Sequence, residues 1–591
     1  MKRWVWFVIV FDICFVLGGL FWVGGDGERA DLVLVTKADL NTLDPQRMSW
    51  LTDLRVGECL FERLTMIDPE TLVVVPGCAE RWEVSDDGLT YTFYLREDAR
   101  WSNGDAVLAS DFKYAWKRGL FPEFGSGYTG LFDCIAGAVE FRAFRGGQLK
   151  VLAGLAEGER LHRGEEMLRA ADVYYDAHVG VEVVSDKVLR VRLGRVTPYF
   201  LELVAFITYG PVHEKSFSDF VSVQADTGGV VLDSGWCGAG VLVSNGAYVL
   251  ASHRFKRDLL LRCNPYYWGR AEVKNASIRF VIVSDDYTAL LMYESGDVDW
   301  LPDLESGSAL AAGLLDESSA GLRFDVHRRT SAGTYFYLFN CEAKLADGRV
   351  NALADVRVRR ALSLGIDRES IVEKIVKVHG GAARSFTPGS AIPGYAPPLT
   401  GGGYDLVRAR GLLREAGYAG GKGIEGLSIL YNTEGAHKLI AQQIANHWRE
   451  GLGVEVRLEG IEKGAFSDRV QHQDFTIART SWMGDYRDPT TFLDRFRSGD
   501  DSNDGRYASG VYDGLLKAAE GELDGKKRFG LLSKAEGVML GDQAIAPIYH
   551  YVVFHVFDGH RVKGVWPNTW QFRDLKGISV DHGVGGSAGG D

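Results

Sequence analysis

Short segments in the first half of the chain alternate apolar and polar positions. Between Leu89 and Leu95 every second residue is apolar or aromatic, and Val188 to Leu193 repeats this pattern. Successive strand side chains point to opposite faces of a sheet, so a period of two predicts half-buried β-strands. The apolar run Leu32 to Val35 predicts another short strand, and Asp53 to Leu64 has the spacing of a helix.

The second half of the chain shows helical spacing interrupted by strand-like runs. Asp355 begins a stretch with apolar residues at helical intervals, and Asp367 is placed to cap the free N–H groups in the first turn of a second helix. A later helix presents Ile440, Ile444 and Trp448 on one face, and a strand is predicted from Val454 onward. Helices that alternate with strands predict a mixed α/β protein.

The N-terminus has the signature of export. Lys2 and Arg3 precede a run from Trp4 to Val23 that is apolar except for Asp12. A basic start followed by an apolar stretch is typical of a signal peptide or a membrane anchor, assigned here to residues 1–30. Cleavage, retention as an anchor and lipidation at Cys14 all stay open. No second long apolar segment follows, so we expect the body in the periplasm or at the outer face of the cytoplasmic membrane, with membrane contact only through this segment.

Composition narrows the class of protein further. The 591 residues carry 66 Lys and Arg against 79 Asp and Glu, a formal charge of −13. That length predicts three or four compact units, and the acidic body argues against a nucleic-acid partner. Six cysteines lie beyond residue 30 without a CxxC pair, which gives no support to a zinc site; a disulfide between Cys59 and Cys78 stays open.

Motifs that signal catalysis are missing from the sequence. It contains no GxGxxG opening a helix, no GxxxxGK[ST], no GxSxG and no HExxH, and the histidines are scattered. We therefore predict that the protein is not an enzyme and that it uses no metal and no cofactor. Exposed aromatic residues would suit a ligand cleft, although most aromatic residues in any protein belong to its core.

A series of short segments, in order along the chain, resembles one family. The segments that carry the resemblance are 43–45 (LDP), 59–64 (CLFERL), 76–82 (PGCAERW), 91–96 (YTFYLR), 101–104 (WSNG), 244–248 (SNGAY), 264–268 (NPYYW), 355–362 (DVRVRRAL), 430–433 (LYNT) and 478–490 (ARTSWMGDYRDPT). With these segments the chain resembles the oligopeptide-binding proteins of ABC importers from about residue 31 to 580. The last segment is the most specific, because it separates peptide binders from nickel- or haem-binding relatives.

The resemblance implies an α/β, three-domain, bilobal periplasmic-binding-protein fold with hinge strands and an inserted domain in the N-terminal lobe. The implied boundaries are 31–62, 198–333 and 555–591 for lobe I, 63–197 for the inserted domain II, and 334–554 for lobe II (domain III). The ligand would lie between the lobes, extended and held through its backbone as an added β-strand is.

Family positions also imply the residues that contact a peptide. Asp485 would bind the α-ammonium group, while Arg479 and His437 would neutralise the C-terminus. The alternatives are a turn-capping role for Asp485, an intraprotein salt bridge for Arg479 and a helix-surface position for His437. The residues implied to form walls and backbone contacts are Trp482, Met483, Tyr335, Ser49, Leu51 and Tyr128.

The function implied is capture of short peptides outside the cytoplasmic membrane and their delivery to the permease subunits of an ABC transporter. A relative that has switched to a metal chelate, haem or a sugar is the alternative within the same class. An exported adhesion protein that reuses the fold is the alternative from another class.

Overall fold

The computed structural model describes residues 29–304, 308–345, 348–377, 381–500 and 502–582. Residues 1–28 of the predicted export segment, which include Cys14, lie outside the described residues. Within these ranges, no helix is both long enough and apolar enough to span a bilayer. The six described cysteines are all unbridged, so Cys59 and Cys78 do not form the disulfide that the sequence left open.

A mixed four-stranded sheet contains the first strand of the described chain. Its order is Leu32–Thr36, Ser277–Ile282, Asp258–Cys263, Tyr248–Arg254, with the first pair parallel and the others antiparallel. Leu32 and Leu34 belong to one hydrophobic core, whereas Val33 and Val35 belong to another. This strand, predicted from its apolar run, is buried on both faces.

A second four-stranded sheet is antiparallel, and its strands lie between the first and second strands of the mixed sheet in sequence. Its order is Ala79–Val84, Thr90–Leu95, Val188–Arg192, Val181–Ser185. Tyr91, Phe93 and Leu95 are buried and their intervening neighbours are not, which confirms the strand predicted from the period of two. Three two-stranded ribbons complete the small sheets: Thr65–Ile67 with Val74–Pro76, Val221–Val223 with Val230–Leu232, and Val562–Lys563 with Ser579–Val580.

The largest sheet has five strands, in the order Arg457–Ile461, Ser428–Asn432, Ile477–Met483, Val326–Phe339, Ile545–Val556. Its last two strands are long and antiparallel, and their register shifts between Thr330 and Thr334. Tyr335 and Tyr337 point into one core of this sheet, and Phe336 points into the core on the opposite face.

The helices cover the faces of these sheets. They are Leu51–Leu60, Ala109–Leu120, Ala138–Ala153, Glu157–His178, Phe200–Leu203, Glu214–Phe217, Asp286–Glu294, Ala309–Ser319, Val356–Leu364, Arg368–Ile371, Leu406–Glu415, His437–Leu452, Lys463–Gln471, Thr490–Leu493, Gly510–Glu520 and Gly525–Gly541.

The predicted helix starts are largely confirmed. The carboxylates of Asp355 and Asp367 accept hydrogen bonds from backbone N–H groups two and three residues later. The helix predicted for Asp53 to Leu64 spans Leu51–Leu60, so it begins two residues earlier and ends four residues earlier than predicted. The strand predicted from Val454 begins only at Arg457, because the Val454 N–H still bonds the Trp448 carbonyl at the end of the preceding helix.

Candidate ligand-binding site

The chain leaves the five-stranded sheet just after Met483, and this exit carries the candidate site. The Gly484 N–H donates to the Ala332 carbonyl at 2.8 Å. A Cβ at Gly484 would lie 2.7 Å from the Trp570 ring, so a side chain has no room here. The Asp485 N–H donates to Thr491 Oγ1 at 2.9 Å, which fixes the start of the next segment.

A cavity of about 280 Å³ opens beside this exit. One wall comes from residues 130–134 and 195–203, which pack with the core under the two four-stranded sheets. The other wall comes from residues 482–502, next to the five-stranded sheet. The lining residues are Gly130, Leu131, Cys134, Arg195, Tyr199, Leu203, Trp482, Asp485, Tyr486, Thr490, Thr491, Asp494, Arg495, Asp500 and Ser502.

Asp485 presents a carboxylate to this cavity. Burial raises the pKa of its carboxyl to about 6, and the neighbouring Tyr128 hydroxyl acts in the opposite direction. No Lys or Arg of the described chain forms an ion pair with it. An ionised carboxylate that is partly withdrawn from water and has no cation partner is a strong candidate to bind a cationic ligand group.

Arg479 lies on the strand that leads to this exit. Its Nη1 donates to Asn432 Oδ1 and its Nη2 donates to the Tyr551 hydroxyl, both at 3.3 Å. The guanidinium is 4.9 Å from the centre of the Tyr335 ring, and its Nε is buried without a hydrogen-bond partner in the described structure. No ion pair joins Arg479 to a carboxylate of these residues, so the intraprotein salt bridge considered from the sequence is absent from the described structure.

His437 is the first residue of helix His437–Leu452, and its side chain is partly buried. Its Nδ1 lies 3.3 Å from the Tyr335 hydroxyl. Burial and the nearby Arg479 guanidinium lower the pKa of its imidazole to about 4, so the ring is neutral at pH 7. The free N–H groups of this helix start and the Arg479 cation together suit a ligand anion.

Arg479 and Asp485 are close together in the sequence, which limits the distance between their backbones. Six residues lead from Arg479 to Asp485, which is at most about 20 Å of extended backbone. One end of this stretch carries a carboxylate, and the other carries a cation beside a helix N-terminus. Arg479 and His437 lie outside the lining of the 280 Å³ cavity that Asp485 faces.

Two of the predicted wall residues are the last two of the strand that precedes Asp485. Trp482 lines the cavity and donates from Nε1 to the Thr491 carbonyl at 2.6 Å. Met483 is 42% exposed and lies opposite Gly333, where a Cβ would overlap its Sδ atom. Tyr335, in contrast, is fully buried, with its ring stacked on Tyr549 at 4.9 Å. Its ring is therefore not an exposed wall, and its hydroxyl group contacts His437.

The other predicted residues lie on the opposite side. Tyr128 neighbours Asp485 and packs edge-on against Phe206 at 4.9 Å. Ser49 and Leu51 are exposed and lie outside the lining of the 280 Å³ cavity. Of the nine predicted residues, this cavity brings together Trp482 and Asp485, with Tyr128 adjoining them.

Two residues were not found from the sequence: Tyr199, which lines the cavity, and Glu202, which directly precedes the lining residue Leu203. Tyr199 stacks on Tyr486 at 4.6 Å, and Glu202 pairs with Arg487. Tyr486 and Arg487 belong to the most specific motif, yet only the fold reveals their partners nearly 290 residues away. No local pattern around Tyr199 or Glu202 could have found them.

Comparison with known proteins shows the family to which the chain belongs. The family model of the bacterial extracellular solute-binding proteins, family 5 (middle region) matches residues 73–504. The chain therefore belongs to the family 5 extracellular solute-binding proteins. This confirms the family resemblance drawn from the motifs.

Within that family the similarity is to oligopeptide-binding proteins. The chain is 32% identical over 600 residues to the oligopeptide-binding protein OppA of Bacillus subtilis, covering 96% of this chain and 98% of the relative. The Escherichia coli murein tripeptide binding protein MppA superposes with a TM-score of 0.72 at 27% identity, covering 94% of this chain and 99% of that one. Haemophilus influenzae OppA in complex with RPPGFSPFR gives 0.71 at 26%, with 94% and 99% coverage. The predicted bilobal α/β fold is confirmed.

Proposed function

We propose that this protein binds short peptides between its two lobes, outside the cytoplasmic membrane, and delivers them to an ABC permease. The observation that carries the proposal is the Asp485 carboxylate, which faces a cavity between two walls without a cation partner in the described chain. A peptide α-ammonium group supplies that missing cation. The membership of the family and the names of its relatives support the same conclusion.

The opposite end of the peptide has a matching partner. Arg479 lacks a carboxylate partner in the described structure, and the neutral His437 begins a helix beside it. A guanidinium group binds a carboxylate with two parallel hydrogen bonds, and the helix N-terminus adds favourable partial charge. We assign the peptide C-terminus to this end, either in direct contact or through water.

The remaining assignments follow the same proposal. The lobes would divide at the boundaries given above, with the long strands Val326–Phe339 and Ile545–Val556 as the hinge strands that connect them. The protein would be exported through its N-terminal segment and would act as a carrier rather than as an enzyme. Its partners would be peptides and the permease subunits.

Binding of trialanine to pentaalanine, followed by titration calorimetry and thermal unfolding, tests the proposal. A ligand that binds only the native state raises the melting temperature in proportion to its affinity. Peptides with a free N-terminus should bind at least tenfold more tightly than their N-acetylated forms, and Asp485→Asn should abolish that difference. Asp474→Asn removes an exposed carboxylate from the same half of the chain and should leave the difference intact.

Equal binding of free and acetylated peptides by the wild-type protein would contradict the role of Asp485. Mass spectrometry of ligands retained through purification tests the cargo independently. Peptides in that fraction support the proposal, whereas a metal chelate, haem or a sugar would favour the alternative solute. If no peptide binds, capture of extracellular matrix proteins on a solid phase tests the adhesion alternative.

A further inference from the structure

Three consecutive residues after the strand exit each contact the opposite wall of the cavity. The Asp485 carboxylate neighbours the Tyr128 hydroxyl. The Tyr486 ring stacks on Tyr199, with centroids 4.6 Å apart and an interplanar angle of 9°. Arg487 follows and contacts the same wall. We call residues 485–487 the bridging segment.

The contact of Arg487 is an ion pair with two hydrogen bonds. Its backbone N–H donates to Glu202 Oε2 at 2.8 Å, and its Nη2 donates to Glu202 Oε1 at 2.9 Å. The two side chains are only 9% and 18% exposed. Both carboxylate oxygens are thus engaged by one residue, an arrangement that constrains backbone and side chain together.

The packing of Tyr486 shows that the bridging segment crosses between two cores. Tyr486 packs against the core under the two four-stranded sheets, together with Tyr199. Trp482 and Phe492, on either side of the segment, pack with the core of the five-stranded sheet. The chain therefore crosses the cavity and returns within ten residues.

The residues that follow the bridging segment are held on the side of the five-stranded sheet. Asp488 is buried and accepts a hydrogen bond from Arg528 Nη2 at 2.9 Å. The Arg528 guanidinium in turn lies 5.7 Å from the Tyr199 ring centre. Contacts on both sides of the cavity therefore fix the chain around Asp485: Asp488 binds Arg528, while Tyr486 and Arg487 contact the opposite wall.

We infer that Tyr486 and Arg487 are positioning residues that couple closure of the two lobes to capture of the peptide's ammonium group. The inference rests on the proposed function. When Tyr199 and Glu202 hold the bridging segment, Asp485 faces the cavity beside Tyr128; when the walls part, these contacts break and the carboxylate loses its fixed position. Recognition of the N-terminus then belongs to the closed arrangement rather than to either lobe alone.

The test compares Arg487→Gln with the wild-type protein for free and N-acetylated tetra-alanine. Loss of a buried, hydrogen-bonded charge acts mainly on dissociation, so we expect the free peptide to leave at least tenfold faster. The ratio of the two affinities should shrink by a similar factor, because Asp485 is no longer fixed. A purely structural role would weaken both peptides equally and leave that ratio unchanged.

Arg142→Gln is the matched control. It removes an ion pair with Asp133 whose two side chains are 29% and 30% exposed, and both residues belong to the same side of the cavity. We expect this variant to match the wild type in the dissociation rate of free tetra-alanine and in the ratio of its affinities for the free and acetylated peptides. Small-angle scattering should show a larger radius of gyration for ligand-free Arg487→Gln than for either the wild type or this control.

The outcomes separate the two proposals. If the wild type distinguishes the peptides and Arg487→Gln distinguishes them equally well, the positioning role is wrong and the proposed function stands. If the wild type binds neither peptide, the proposed function fails. Should Arg487→Gln not fold, Tyr199→Leu removes the stacking partner without changing the segment, and an unchanged affinity ratio in that variant overturns the inference.

Discussion

The Tyr335 hydroxyl lies 3.3 Å from His437 Nδ1, and the Arg479 guanidinium faces the Tyr335 ring at 4.9 Å. One tyrosine thus connects a strand of the five-stranded sheet to the first residue of a helix and to a cation on the next strand. Since burial and Arg479 keep His437 neutral, its imidazole adds no positive charge to that of the Arg479 guanidinium.

The first prediction follows from that assignment of charge. Arg479→Met should weaken binding of a tetrapeptide with a free C-terminus at least tenfold and should change binding of the C-terminal amide far less, because a carboxylate loses its cation partner. Titration calorimetry with both peptides measures the difference. Arg469→Met, which removes an arginine from the outer edge of the same half, is the control. Equal losses for acid and amide would refute a C-terminal role for Arg479.

Peptide affinity should depend on pH through Asp485. Its carboxyl has a pKa of about 6 in the free protein and must be ionised to pair with an ammonium group. At pH 5 only about one molecule in ten carries the ionised form, so affinity for free peptides should fall about tenfold between pH 7.5 and pH 5. The N-acetylated peptide is the control and should show little change over this range. A flat profile for the free peptide would contradict the prediction.

The same carboxyl group should reduce the stability of the ligand-free protein. Folding raises its pKa from 3.8 to about 6, so the native state binds the proton more tightly than the unfolded chain does. The ionised group therefore lowers the free energy of unfolding above pH 6, and the effect fades as the pH falls toward 4. Asp485→Asn should raise the free energy of unfolding by about 1 to 3 kcal/mol at pH 7.5 and have little effect near pH 4. Denaturant titrations at both pH values check this, and a less stable variant at pH 7.5 would count against it.

Gly484→Ala should disturb both stability and recognition. The added Cβ would lie 2.7 Å from the Trp570 ring, which is held by a hydrogen bond from Nε1 to the Ala391 carbonyl. Overpacking of this kind lowers the free energy of unfolding by about 1 to 3 kcal/mol. The backbone shift should also weaken the preference for free over acetylated N-termini. Gly510→Ala, at an open helix position, is the control for stability; a Gly484→Ala protein equal to it would show that the exit is not tightly packed.

Local features of the fold were predictable because their causes are local. Asp355 caps its helix through a neighbouring backbone group, and the burial of Tyr91 and Phe93 follows directly from the period of two. The strand start at Arg457 was missed because the preceding helix closes with a hydrogen bond to Val454 that no hydrophobic pattern records.

The candidate site was predictable only in part. The motif pointed to Asp485, but neither its raised pKa nor its neighbour Tyr128 could be inferred without the fold. Likewise, the neutrality of His437 depends on its burial and on Arg479, 42 positions later in the sequence. Such properties arise from tertiary proximity, and the spacing of residues along the chain does not contain them.

The Asp485 carboxylate, which has no ion-pair partner in the described chain, has a thermodynamic consequence for the ligand-free protein. Bringing the walls together without cargo leaves a negative charge poorly hydrated and uncompensated, whereas cargo brings its own counter-charge into the same enclosure. Occupied and vacant molecules should consequently differ in how readily they shut. That difference gives a downstream transporter a physical basis for telling one from the other.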